Sequence, residues 1–170
     1  RLDAQLSRAK FEAVDVAALV DALIEQRRAR GVERGVRLRH DRPPSPIFVT
    51  GDGSRLERVV ENIVGNAVSF SPENGVVTLT TRREDDEVVV TVDDDGPGVP
   101  AEAREAIFRR FHSVRPDGEA FGRHSGLGLA IARTIVEGHG GSVVAAPRDD
   151  RVEGARFIVR LPALDPEEDA

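Results

Sequence analysis

Apolar residues recur at helical spacing in three long stretches. Val16 to Arg30 places Leu19, Val20, Leu23 and Ile24 on one stripe. Arg55 to Phe70 carries Leu56, Val59, Val60, Ile63, Val64, Ala67 and Phe70 on another, and Gly51-Asp52-Gly53-Ser54 before it is a helix-start signal. Leu127 to Glu137 has Leu127, Ala130, Ile131, Thr134 and Ile135 in register, and Gly138-His139-Gly140-Gly141 stops it. Ala101 to Phe111 is also predicted helical, ending in aromatic and basic residues. Short β-rich runs lie between these stretches. Lys10 to Asp15 reads as extended, and Val36 to His40 and Ile47 to Thr50 read as strands around a turn holding Pro43, Pro44 and Pro46. Val76 to Arg82 and Glu87 to Asp94 read as a hairpin joined by acidic residues, and Ser142 to Ala146 and Ala155 to Leu161 as closing strands.

Strands and helices mix without strict alternation. The pattern predicts an α/β two-layer sandwich: one mixed, mostly antiparallel sheet with helices packed on one face. Leu2, Leu6 and Ala9 suggest that residues 1–10 end a preceding helix; residues 11–164 then form one domain, and 165–170 an acidic, disordered tail. Residues 113–125 contain Pro, two Gly and no periodicity, which predicts a long mobile loop.

Composition narrows the function classes. No stretch approaches the ~20 consecutive apolar residues that a membrane span needs. A chain without Met that begins Arg1-Leu2-Asp3 reads as a piece of something longer. Cys is absent, so disulfides and thiolate metal sites are excluded. The net charge of −6 gives no support for nucleic-acid binding. Lys10 is the only lysine, so a phosphate contact must use Arg, backbone, hydroxyl or metal.

Three elements carry candidate chemistry. On the Arg55–Phe70 helix, Asn62, Asn66 and Ser69 share one edge at i, i+4 and i+7; an amide oxygen there suits Mg²⁺, while a solvated polar edge is the competing reading. Alternation along Val88 to Asp94 puts Asp94 on the face of Val88, Val90 and Val92, with Asp93 and Asp95 pointing the other way. An inward carboxylate needs donors. An adenine amino group is one; guanine presents an oxygen there. Gly96 and Gly98 are expected to clear side chains from the approach of a flat base, and a simple turn-capping Asp is the alternative. The third element runs from Phe108 to Leu129, where Arg109, Arg110, Arg115 and Arg123 make a basic loop that Phe108, Phe111 and Phe121 can anchor. It opens onto Ser125-Gly126-Leu127-Gly128-Leu129, a Gly-rich helix start that offers N–H groups to phosphate.

In this order the residues resemble the bacterial sensor histidine kinases. Asn62-Ile63-Val64-Gly65-Asn66-Ala67 resembles their N box and Asp94-Asp95-Gly96-Pro97-Gly98-Val99 their G1 box. Ile107-Phe108-Arg109-Arg110-Phe111 resembles the F box, and Gly126-Leu127-Gly128-Leu129-Ala130-Ile131 the G2 box. The resemblance covers nearly the whole chain. It implies the Bergerat fold of the catalytic domain, with ATP bound (ADP as product), Mg²⁺ on Asn66, Asp94 on the adenine amino group, Phe70 against the base and a mobile ATP lid. Arg110 is implied as the lid residue that assists the phosphates, and the backbone of Ser125 to Leu129 as their cradle. It further implies a monomeric fragment of a homodimeric, inner-membrane sensor whose catalytic domain is cytoplasmic. The partners implied are the nucleotide, the protein's own dimerisation and phosphoacceptor domain, and a response regulator. Ser69-Phe70-Ser71, with Arg115-Pro116 to Phe121-Gly122, is similar to the ChvG type of these kinases.

Two departures stand out. Ser69 occupies a place where the family often has Lys, and a hydroxyl brings no charge. Ser113 occupies a lid place where many members carry Arg. Gyrase, Hsp90 and MutL ATPases share the fold, with a Glu four residues before the metal Asn; here that place is Asn62, and an amide is no general base. The expected chemistry is therefore phosphoryl transfer to a partner rather than hydrolysis, with Asn62 and Arg110 as its side chains. None of His40, His112, His124 and His139 sits in the phosphoacceptor pattern, so this piece alone is not expected to phosphorylate itself. A non-catalytic nucleotide sensor is the alternative, and a ligand-free structural domain a third reading.

Overall fold

The computed structural model describes residues 10–109, 127–150 and 153–165. Its elements run β1 (Glu12–Asp15), α1 (Val16–Arg30), β2 (Arg37–Asp41), β3 (Phe48–Gly51), α2 (Gly53–Phe70), β4 (Val76–Glu84), β5 (Glu87–Asp93), α3 (Gly128–Gly138), β6 (Ser142–Pro147) and β7 (Ala155–Pro162). The expected helix end at Leu2, Leu6 and Ala9 and most of the acidic tail lie outside the described residues.

The main sheet has five strands in the order β2-β4-β5-β7-β6. Only the β2–β4 pair is parallel; β4–β5, β5–β7 and β6–β7 are antiparallel. Val36 to His40 and Ile47 to Thr50 do form strands, each shifted by one residue, but they do not pair. β3 instead joins β1 in a separate two-stranded sheet.

Alternation decides the layers. Leu79, Val92 and Phe157 are cross-strand neighbours on one face, as are Val88 and Leu161, and all are buried in the core with α1, α2 and α3. Each such side chain contributes roughly 1.5–3 kcal/mol by leaving water. The other face carries Arg82, Arg156 and Arg160 with Glu84, Glu87 and Asp93. The helices therefore lie on one face, as the sequence pattern predicts.

Both long helices begin where the sequence signals them. Asp15 caps α1 by accepting from Ala18 N–H, and Asp52 caps α2 by accepting from Arg55 N–H, each at 3.3 Å. Residues 101–109 differ from expectation. They form two short 3₁₀ turns, Ala101–Ala103 and Ala106–Phe108, rather than one helix. The stretch has only two large apolar side chains in its described part, Ile107 and Phe108, adjacent in sequence. Two adjacent large side chains make a narrow apolar contact, which gives little to hold a longer helix over the described residues. Both are buried, Phe108 packing edge-on against Phe157 with the Arg133 guanidinium 5.5 Å from its ring centre.

His139 fastens the helix layer to β3. Its Nδ1 donates to Ile135 O at 2.8 Å and its Nε2 accepts from Asp52 N–H at 3.1 Å, a pattern that assigns the neutral Nδ1–H tautomer. Its ring stacks on Phe11 at 4.7 Å. His139→Ala would leave the Asp52 N–H without its acceptor, so a loss of about 2 kcal/mol in urea unfolding is expected.

Candidate functional site

One helix forms the common wall of the site. Asn62, Asn66, Ser69 and Phe70 follow one another along α2, about 12 Å from the first to the last at 1.5 Å per residue. The Asn62 end touches the start of α3: its Nδ2 donates to Gly128 O at 3.0 Å. The Phe70 end touches the turn after β5, since a Cβ placed on Gly96 would lie 2.6 Å from Phe70 O. The side chain of Asn66 sits between them, half-buried and with no hydrogen bond among the described residues.

Asp94 faces inward as alternation requires and is 1% exposed. Its Oδ1 accepts from Gly96 N–H at 2.8 Å and Ala155 N–H at 3.2 Å. Among the described residues both hydrogen bonds go to that one oxygen and none to Oδ2. Burial is the largest influence on this carboxyl and pushes it up to about 6, against the pull of the two N–H donors and Arg148. The flanking acids point away and are engaged. Asp93 makes a bidentate pair with Arg156 at 2.7 and 2.9 Å, and Asp95 accepts from Val76 N–H at 2.9 Å.

Protein backbone lies close against both glycines of this turn. A Cβ on Gly96 meets the Phe70 backbone and, at 3.1 Å, Asp94 Oδ1. Gly98 adopts φ +87°, and its Cβ would lie 2.9 Å from Gly154 O. Protein backbone closes both positions to a side chain. Val99 packs partly against the core and accepts from Arg104 Nε at 3.2 Å.

Across the wall, α3 starts at Gly128 with Leu127 in the cap position, and no side chain among the described residues caps it. Leu127 O accepts from Ile131 N–H at 2.8 Å. Leu129 is half-buried and packs on the core. These uncapped donors are positioned to meet an anion. Arg110, Ser125 and Gly126 lie outside the described residues, as do Phe111, Ser113, Arg115, Phe121 and Arg123 of the expected lid and His112 and His124.

The sequence profile of the histidine kinase-, DNA gyrase B- and HSP90-like ATPases matches residues 51–165, from the end of β3 to beyond β7. The chain belongs to this family of ATPases. Within the family it is 43% identical over 173 residues to the sensor protein ChvG of Rhizobium meliloti (strain 1021), covering 96% of this chain and 30% of that protein. The chain thus spans less than a third of this curated relative. Among solved structures, the mycobacterial sensor histidine kinase MprB superposes with a TM-score of 0.77 at 31% identity, covering 90% of this chain and 97% of that one. Full-length ShkA in complex with AMPPNP superposes with a TM-score of 0.74 at 33% identity, covering 90% of this chain and 31% of that one. The fold of this ATPase domain is therefore that of histidine kinase catalytic domains.

Three site residues escaped sequence reasoning. Gly154, at φ +107°, lets Asp94 O approach to 2.4 Å of where its Cβ would be. Ala155 supplies one of the Asp94 donors. Arg34 donates to the carbonyls of Val68, Ser69 and Ser71 and so caps the Phe70 end of α2. Each acts across a large sequence separation, and none falls in a motif; the isolated Gly154 before β7 was the only local signal.

No helix among the described residues is long and apolar enough to cross a membrane.

Proposed function

We propose that this domain binds Mg-ATP and, within a longer sensor protein, presents the γ-phosphoryl group to a histidine on a preceding dimerisation domain. One observation carries the reading: a buried carboxylate with Oδ1 saturated by backbone and Oδ2 left over, set at one end of a helix whose other end meets an uncapped helix start. Oδ2 accepts from the adenine amino group, and Phe70 packs against the base. The N–H groups around Leu127 to Leu129 receive the phosphates, joined by Ser125, Gly126 and Arg110 from the stretch before α3. The Asn66 amide oxygen fits a hard divalent ion, and Mg²⁺ held there would supply charge neutralisation on the triphosphate. Asn62 acts through its bond to Gly128 O, holding α3 in place for the phosphates. The domain's share of the chemistry is positioning and charge stabilisation. In the transfer the N–P bond forms as the bond from Pγ to its bridging oxygen breaks, and ADP leaves; a response-regulator aspartate then takes the group. This reading places the chain in the cytoplasmic part of an inner-membrane homodimer.

Asn66→Ala is expected to weaken Mg-ATP binding by about tenfold while leaving magnesium-free ATP binding within twofold, measured by calorimetry with and without EDTA. Equal Mg-ATP affinity in both proteins would remove Asn66 from the metal site. His40 and His139 each have both ring nitrogens engaged, by Asp21 and Thr81 and by Ile135 and Asp52. None of the four histidines sits in the phosphoacceptor pattern, so incubation of this chain alone with labelled ATP should give no acid-labile label. Ser69 favours a second reading, a nucleotide sensor without turnover, because it brings no charge to the phosphates. A longer chain that includes the upstream helices separates the two: phosphohistidine forms under the first reading and is absent under the second.

A further inference from the structure

The connection between β6 and β7 reaches back over the Asp94 turn. Arg148, 11% exposed, donates from Nη1 to Asp94 O at 3.0 Å and to Asp95 Oδ1 at 3.2 Å. Its Nε and Nη2 make a bidentate pair with Asp150 at 2.9 and 2.7 Å, which fixes the plane of the guanidinium. Gly154 makes room for this arrangement, since a Cβ there would fall 2.8 Å from Arg148 Cδ and 2.4 Å from Asp94 O. Asp95 is held from its other side by Val76 N–H. The turn that presents Asp94 is therefore clamped between β4 and the β6–β7 connection.

We propose that Arg148 is a positioning residue for nucleotide recognition: its guanidinium aims the Asp94 turn and supplies the positive charge that keeps the base-binding carboxylate ionised beside Asp95. The proposal rests on Asp94 being the acid that meets the base. The charged groups around Asp94 among the described residues are few. Asp95 disfavours its ionisation, Arg148 favours it, and burial disfavours it most. Arg156 is spent on Asp93 and Asp149, and Asp150 on Arg148. Without Arg148, burial and Asp95 act together against the charged form, with only the two backbone donors opposing them. Arg148 touches no position assigned to the ligand, so its effect passes through Asp94.

The test uses the 170-residue chain. Calorimetric titrations with Mg-ATP between pH 5.5 and 8.5 compare the parent, Arg148→Gln, Arg148→Lys and Asp94→Asn. The Gln variant removes the charge and keeps a polar side chain over the turn, so it carries less folding risk than Arg148→Ala, and Arg148→Lys separates loss of charge from loss of the guanidinium's hydrogen bonds. The acid limb of binding in the Gln variant is expected to move up by about one pH unit, a loss of about fivefold at pH 6 that disappears by pH 8.5. Arg148→Lys should restore most of the parent profile. A Gln variant with the parent's acid limb, or a loss independent of pH that Lys does not rescue, overturns the proposal. Parent-like ATP binding by Asp94→Asn would instead overturn the assignment of Asp94 itself, so the two failures are distinguishable.

Discussion

Asp94→Asn is expected to lower ATP affinity by at least ~100-fold and, at the same time, to raise the stability of the free domain at neutral pH. The two backbone donors, Gly96 N–H and Ala155 N–H, hold whichever side-chain atom accepts from them. In the variant that atom is the amide oxygen, so the NH₂ group takes the place of Oδ2. A donor then faces the adenine amino group, itself a donor. GTP, with an acceptor at that position, is repelled by the parent and gains relative to ATP in the variant. Stability moves the opposite way. The carboxyl titrates at about 6 in the fold against 3.8 in a model peptide, so the native state binds its proton more tightly than the unfolded chain does. The stability this provides is complete below about pH 4 and is lost as pH rises through about 6. At pH 7 the ionised form costs on the order of 2–3 kcal/mol, which the neutral amide does not incur. Binding needs the ionised form and so falls about tenfold per unit below about pH 6. Calorimetry with ATP and GTP at pH 5 to 8, paired with thermal melts, measures both effects. Parent-like ATP affinity in the variant would sink the site assignment.

The periodicity of α1, α2 and α3 was enough to place them within about two residues, because each buries one stripe against the same sheet face. The β4–β5 hairpin was equally legible: alternation and a short acidic turn fix its register, with Glu84 opposite Glu87. Pairings between distant segments were not legible. Nothing local in Phe48–Gly51 says that it joins β1 rather than β2, since the choice is made by where α1 and α2 start. The same limit applies at the site. Asp94 was legible because one strand's alternation aims it. Arg34, Arg148 and Gly154 were not, because each is defined by a neighbour at least 34 residues away. Gly96 and Gly98 were legible only in part for a related reason: a missing Cβ says that something comes close, not what. Here it is the Phe70 carbonyl and the Gly154 carbonyl.

That contact makes Gly96→Ala the second large effect. The new methyl would lie 2.6 Å from Phe70 O and 3.1 Å from Asp94 Oδ1. Neither atom is the free end of a flexible side chain. The C-terminal turn of α2 is held by Arg34 through the Val68, Ser69 and Ser71 carbonyls, and Asp94 is held by its own two backbone donors. The turn after β5 must therefore move away from α2 as a unit, at a cost of about 3 kcal/mol. The movement carries Asp94 away from Phe70, the two groups assigned to the base. A displacement approaching an ångström at such a site lowers ATP affinity by roughly 10- to 100-fold. Gly53→Ala is the matched control. Nothing lies within 4 Å of its Cβ position, and it occupies the first turn of α2. It should gain about 0.5 kcal/mol by restricting the unfolded chain and leave ATP binding unchanged. Urea unfolding and ATP titration of both variants decide the matter. If Gly96→Ala folds and binds like the parent, the end of α2 and the acid turn are not mechanically joined, and the wall that sets Asp94 against Phe70 is lost as an explanation of the site.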